Sequence, residues 1–266
     1  MKILITGGNG YIAKSIANRL WEKYHIIAPG REELDLLDSK SVDTFFEGKY
    51  FDVVIHTATL GGNRLKEEDE TVSFYNLIMF YNLIRKKEQF NKLISFGSGA
   101  EYRVEYTPYG FSKKIINKLI HKHDNFYNLR IYAVFDEKEK DTRFIKSNIQ
   151  RYLNNEPILI HQDKLMDFIY MPDLISIVEH YIVGKDLLKE VDCIYDDTVS
   201  LSNIAQQINN ISTSKVPINI EDPLPGQNYI GIYNELPIAF IGLEQGIINT
   251  YIQLKKNGII FKNKQQ

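Results

Sequence analysis

Three residues have the types and spacing to move a proton to or from a small molecule. Tyr109 and Lys113 stand four apart in Thr107-Pro108-Tyr109-Gly110-Phe111-Ser112-Lys113, and Ser98 closes the run Leu93-Ile94-Ser95-Phe96-Gly97-Ser98. Positions four apart share a helical face, so the Lys113 ammonium can stand beside the Tyr109 phenol and lower its pKa. A phenol tuned in this way exchanges a proton with a carbonyl or hydroxyl near neutral pH, and a serine nearby can hydrogen-bond the same oxygen. Any one of the three alone carries little, because Tyr-x-x-x-Lys arises by chance and a helical lysine is ordinarily solvated.

A second set has the chemistry of a dinucleotide site. Thr6-Gly7-Gly8-Asn9-Gly10-Tyr11-Ile12-Ala13 follows the first apolar run and opens a helical pattern. A tight turn there brings the backbone N–H groups of Gly7, Asn9, Gly10, Tyr11 and Ile12, with the helix N-terminus, against a pyrophosphate. Ala13 stands where a third small residue permits close helix packing. After Ile26-Ile27-Ala28-Pro29-Gly30 comes Arg31. A basic residue at that point suits the 2′-phosphate of NADP, whereas an acidic one suits the 2′-hydroxyl of NAD. NADP is therefore expected, with NAD the alternative; the opposing view is a surface Arg31 paired with Glu32 or Glu33.

These residues need a frame that brings strand ends together. Short apolar runs at 2–6, 25–28, 52–57, 92–96, 129–134 and 192–195 alternate with helical patterns at 12–24, 39–46, 70–87 and 109–123. Such alternation predicts an α/β protein with a doubly wound parallel sheet, which binds its ligand beyond the carboxyl ends of the strands. Past Phe135 the regularity weakens: a mixed charge run fills 136–141, and Pro217, Pro223, Pro225 and Pro237 cluster late. A Rossmann domain of 1–135 plus about 165–200 is expected, with a smaller C-terminal substrate-binding subdomain of about 136–164 and 201–266. The 70–87 helix carries too many apolar and aromatic residues for one stripe. Its second face must meet either another subunit or the rest of the chain.

Composition excludes several other classes. Of 266 residues 44% are hydrophobic and 25% charged, with a net charge of -2, which fits neither disorder nor a general nucleic-acid binder. Apolar stretches break before the roughly 18 residues a membrane span needs. Met1 to Thr6 runs straight into the glycines without a cleavage site, so a cytoplasmic protein is expected. The single cysteine, Cys193, leaves no internal disulfide or multi-cysteine metal site, and no metal is expected.

With the glycine loop, Ser98, Tyr109 and Lys113 in this order, the chain resembles the extended short-chain dehydrogenase/reductase superfamily, in its nucleotide-sugar epimerase/dehydratase/reductase group. Arg31 to Asp38 and Ala58-Thr59-Leu60-Gly61-Gly62 are similar to the GDP-fucose synthase pattern, and the first stretch also to dTDP-4-dehydrorhamnose reductases. The resemblance implies that Asp35 and Leu36 hold the adenine edge, and that His56, Thr57 and Ala58 lie at a fourth-strand end beside the ribose. It implies that Asn76 helps organise the lysine, that Tyr109 is the general acid and Ser98 a carbonyl hydrogen-bond donor, and that Lys113 also binds the nicotinamide ribose.

Departures from the pattern narrow the expected reaction. Ala100 stands where the GDP-fucose synthase pattern has an epimerising cysteine, and alanine cannot move a proton. Its partner histidine has no counterpart, the nearest match by position being Arg143. The acidic pair of dehydratases is missing, and Glu101 reads equally as a loop carboxylate or a catalytic one. Only eleven positions separate Ser98 from Tyr109, so the intervening loop is short. Met166 replaces an arginine that relatives use on the sugar-nucleotide diphosphate, which leaves Arg143 and Lys146 as candidate cations. The expectation is an NADPH-dependent reductase of a nucleotide-linked 4-keto (deoxy)sugar, a homodimer through the 70–87 and 109–123 helices. The alternatives are an NAD-retaining epimerase or a dehydratase, and a non-catalytic NADP-binding protein.

Overall fold

The computed structural model describes residues 1–62, 67–103 and 105–263. In chain order the elements are β1 (Lys2–Thr6), α1 (Tyr11–Leu20), β2 (His25–Ile27), α2 (Ser39–Phe46), β3 (Phe51–His56), α3 (Thr71–Ile84), β4 (Phe90–Ser98), α4 (Pro108–Ile120) and β5 (Phe126–Ile131). There follow β6 (Val134–Phe135), α5 (Phe144–Leu153), β7 (Ile158–Gln162), β8 (Ile169–Tyr170), α6 (Met171–Val183), β9 (Glu190–Asp192), α7 (Leu201–Asn209), β10 (Ile218–Asp222) and α8 (Leu243–Asn263).

The chain divides into two compact units, residues 1–131 with 177–192, and residues 132–176 with 193–266. The first holds a parallel sheet of order β2-β1-β3-β4-β5-β9. Ile3, Leu4 and Ile5 of β1 and Val53, Val54 and Ile55 of β3 are buried throughout, as strands covered on both faces must be. From β1 the chain steps to β2 on one side and then to β3 on the other, so the crevice for a ligand opens beyond the ends of β1 and β3. In the second unit β7 pairs with β10 and β6 with β8, around a core that includes Phe135, Ile149, Phe168 and Ile204.

Two strands sit earlier than the apolar runs suggest. β5 begins at Phe126 and β9 at Glu190, because polar residues at these starts are strand residues too, Asn128 buried on β5 and Glu190 bonded by Arg130 across the two strands, and apolar runs give no sign of such groups. The division into units also differs from the expected one: residues 165–176 and 193–200 belong to the second unit, since β8 pairs with β6 and not with the large sheet. The strand ending at His56, matched above to a fourth strand, is the third in the chain.

Candidate active site

The glycine loop is shaped by contacts that forbid side chains. Gly7 has a φ of +68°, and a Cβ there would lie 2.9 Å from Ala58 Cα at the end of β3. Gly8 donates its N–H to Pro29 O at 2.9 Å, so a Cβ on it would overlap the Ala28 carbonyl. A Cβ on Gly10 would meet Gly7 O at 3.2 Å. The loop is thus a bare backbone cradle at the β1–β3 crevice, and Gly10 starts α1 with no side chain capping its first amides. Uncapped amides at a helix N-terminus suit an anion, so the residues present fit a dinucleotide pyrophosphate. Ala13 is fully buried, consistent with close packing of α1. Gly8 was absent from the candidates read off the sequence, although the doubled glycine was its signal.

Around this cradle the remaining cofactor candidates separate by exposure. Arg31 bonds neither Glu32 nor Glu33; its Nε reaches Asp35 Oδ2 at 3.1 Å, with 70% of its side chain still exposed. The other Asp35 oxygen accepts from the Leu37 N–H at 3.0 Å. The Leu36 side chain is buried in the core, so its backbone is the part that could meet an adenine. Thr57 Oγ1 donates to Thr6 O at 2.7 Å, and Ala58 packs against Gly7. His56 is buried with Nδ1 2.9 Å from Thr6 Oγ1, and burial together with the Lys113 charge pushes its pKa down to about 3, so the ring is neutral.

Tyr109 and Lys113 lie on the first turns of α4. Pro108 starts this helix and Thr107 caps it by accepting from the Gly110 N–H at 3.0 Å. The Lys113 ammonium lies 5.6 Å from the Tyr109 ring centroid and donates to Phe96 O of β4 at 2.7 Å. Lys113 is only 5% exposed, and burial pushes its pKa down to about 8, against the pull of Glu101. Ser98, the last residue of β4, accepts from the Ala100 N–H at 3.2 Å. The short interval between Ser98 and Tyr109 works because Gly110 lets α4 approach the turn after β4: a Cβ there would sit 2.8 Å from Ala100 O.

Asn76 is buried on α3: its Oδ1 accepts from the Leu60 N–H at 2.8 Å, and its Nδ2 donates to Leu60 O and to Ser112 Oγ, next to Lys113 in sequence, both at 3.0 Å. Asn76 therefore ties the loop after β3 to α4. Glu68, which sequence reasoning missed, clamps the same pieces, one carboxylate oxygen accepting from Gly62 N–H and the other from Tyr109 N–H at 3.2 Å. Its signal would have been an acidic residue shortly after a glycine pair, too common a pattern to notice.

The chain matches the model of the NAD dependent epimerase/dehydratase family over residues 3–186. The chain belongs to that family. Among its curated relatives, GDP-L-colitose synthase of Yersinia pseudotuberculosis is 34% identical over 107 residues, 38% of this chain and 35% of that protein, so the match spans about a third of that relative. CDP-abequose synthase of the same organism is 25% identical over 70% of this chain and 74% of its own. A GDP-L-fucose synthetase structure from Naegleria fowleri bound to NADP superposes with a TM-score of 0.77 at 17% identity, covering 96% of this chain and 93% of the other. The protein is accordingly an NAD(P)-dependent enzyme of the epimerase/dehydratase family with a Rossmann-like fold. Among the described residues no helix is long and apolar enough to cross a membrane.

Two departures noted in the sequence take physical form in the second unit of this family member. Met166 is buried in an apolar core, where an arginine would be out of place. Lys146 differs from expectation: it is buried, donating to Glu139 O at 2.7 Å and pairing with Asp141 at 2.9 Å, and so it braces its own segment. Arg143, at the N-terminus of α5, is exposed.

Proposed function

We propose that the protein reduces a nucleotide-linked 4-keto (deoxy)sugar with NADPH, without epimerising C3 or C5. The observation that carries this reading is the Tyr109–Lys113 arrangement beside Ser98, with Ala100 at the position where an epimerase needs a proton-moving side chain. The names of the two curated relatives, a GDP-sugar and a CDP-sugar synthase, support a nucleotide-sugar substrate. The Gly7–Gly10 cradle and Arg31 would hold NADPH, which would supply the hydride for the keto carbon. Tyr109 gives its phenolic proton to the oxygen as the carbonyl becomes a hydroxyl, and Ser98 hydrogen-bonds that oxygen. The buried Lys113 ammonium, anchored on Phe96 O, holds a positive charge beside Tyr109 and would bind the nicotinamide ribose. The exposed donors of Arg31 favour the 2′-phosphate of NADP, and Arg143 is the candidate for the substrate phosphates. Cytoplasmic NADPH would serve the reaction.

The test is a screen of GDP-, CDP-, dTDP- and UDP-linked 4-ketosugars for NADPH oxidation, repeated with Tyr109→Phe. Loss of at least about 100-fold in kcat is expected for the variant, the usual scale of a general acid. Wild-type turnover by Tyr109→Phe would remove Tyr109 from the mechanism. The alternative, an NAD-retaining 4-epimerase, instead predicts NAD carried through purification and no net NADPH consumption.

We further propose a homodimer through α3 and α4. Phe74 and Tyr81 of α3 are each 60% exposed, and Phe111 of α4 is also exposed, an aromatic surface that one chain leaves uncovered. Phe74→Ser with Tyr81→Ser should convert a dimer to a monomer by light scattering. A monomeric wild type at micromolar concentration would refute it.

A further inference from the structure

Beneath Ser98 lies a buried ion cluster that the proposed reaction does not use. The register of three strands makes it: Gly97 of β4 stands beside Arg130 of β5, which stands beside Asp192 of β9. Arg130, 2% exposed, is surrounded by carboxylates. It donates from Nε to Glu101 at 3.1 Å, from Nη2 to Glu190 at 2.9 Å and from Nη1 to Asp192, and the Tyr102 ring lies 4.3 Å from its Cζ. Desolvating Arg130, Glu101 and Asp192 is costly, and such a cluster adds little to stability over an apolar core. A fold that retains it next to a candidate active site invites a functional account.

Glu101 links the cluster to the chemistry. One of its oxygens accepts from the Ser98 N–H at 2.9 Å, so the Ser98 backbone is tied through Glu101 to Arg130. Asn128 donates to the same carboxylate at 3.4 Å. Gly97 is required here, since a Cβ on it would overlap the Glu101 carboxylate and Asn128. Around Lys113 the groups in play are Phe96 O on β4, the Tyr109 ring on its own helix, the neutral His56 at the end of β3, and Glu101 after β4. Of these, Glu101 is the acidic group, and the strand brings it close: Lys113 Nζ is bonded to Phe96 O and the Glu101 carboxylate to the Ser98 N–H, two residues on along β4 and so on the same strand edge. Burial lifts the Glu101 carboxyl above its ordinary value, and the permanently charged guanidinium of Arg130, 3.1 Å away, opposes this.

We propose that Glu101, clamped by Arg130, is a positioning residue that fixes Ser98 at the end of β4 and serves as the counter-charge of the Lys113 ammonium. It donates no proton to the substrate. The catalytic half of this inference rests on the reduction reading; the Lys113 half does not.

Two variants separate reach from charge. Glu101→Gln keeps the reach to the Ser98 amide and removes the charge, whereas Glu101→Asp keeps the charge and shortens the reach. Arg130 retains Glu190 and Asp192 in both, so the cluster keeps a paired cation. Lys113 is read by competitive acetylation with acetic anhydride against pH and peptide mass spectrometry, since only the neutral amine reacts. In wild type half-labelling is expected at about pH 8. In Glu101→Gln the midpoint should fall by about one pH unit, the scale of losing a nearby opposite charge. In Glu101→Asp it should stay close to wild type while kcat falls about tenfold with KM unchanged, as for an interaction made only in the transition state. An unchanged labelling midpoint in Glu101→Gln, or wild-type kcat in Glu101→Asp, overturns the proposal. If the wild type reduces no ketosugar, the reduction reading fails, and the labelling still decides whether Glu101 governs Lys113.

Discussion

Gly62 lies against the face of Tyr109: a Cβ on Gly62 would come 3.1 Å from Tyr109 Cζ and 3.3 Å from both Cε atoms. The two residues are also held by the two oxygens of one carboxylate, Glu68, through their backbone N–H groups. The ring of the proposed proton donor is thus located by a loop from the end of β3 as much as by its own helix.

Gly62→Ala should therefore displace the Tyr109 ring. The residue has a φ of +73°, where a side chain adds about 1–2 kcal/mol of strain. A drop of at least about tenfold in kcat is expected, because small misplacements of reacting groups cost that much or more. NADPH affinity, measured by fluorescence titration, should stay near wild type. Unchanged kcat would show that the loop yields without moving the ring.

In Gly8→Ala the added methyl overlaps backbone, the carbonyls of Ala28 and Pro29, and backbone cannot rotate aside. The turn must open, which should weaken NADPH binding by more than about tenfold and lower the melting temperature. Calorimetric titration of NADPH against this variant checks both the cradle and its rigidity.

Arg31→Ser removes an exposed cation from the turn that follows β2. The variant should lose about tenfold or more in NADPH affinity, the scale of one charge-assisted hydrogen bond of about 1.5–3 kcal/mol. NADH affinity should change little, since the bond to Asp35 is an exposed pair and contributes little by itself. Equal losses for both cofactors would count against a role at the 2′-phosphate.

Glu139 in the second unit is buried, and burial pushes its carboxyl pKa up to about 8. Between its ordinary value of 4.5 and about 8 the native state holds a proton that the unfolded chain has released. Stability therefore falls as pH rises through that window. Glu139→Gln keeps an acceptor for the Lys146 N–H and has no charge to form. It should be more stable than wild type at pH 8 and indistinguishable from it at pH 4, by urea unfolding at both values.

The parts legible in the sequence are those whose requirements are local. A phosphate-binding turn needs glycine within a few residues of a strand end, so Gly7 and Gly10 with Ala13 announced it. A helix puts i and i+4 on one face, so Tyr109 and Lys113 announced their pairing. The parts that escaped depend on register between distant strands or on a loop folding back. Nothing in the sequence marks Asn128, Arg130 and Asp192 as a group until β4, β5 and β9 pair and bring Asn128 and Arg130 onto Glu101, and Asp192 onto Arg130. Lys146 and Arg143 looked alike as cations, and only burial separates the one that braces its segment from the one that is exposed. The sequence by itself determined the alternating α/β order, the glycine turn after β1 and the shared helical face of Tyr109 and Lys113, because backbone geometry over a few residues settles each. Only the tertiary structure decided which groups hold the site in place, namely Gly62 and Glu68 on Tyr109, and Glu101 with Arg130 behind Ser98. Those choices rest on contacts between residues remote in the chain, where strand order and desolvation decide what each charge meets.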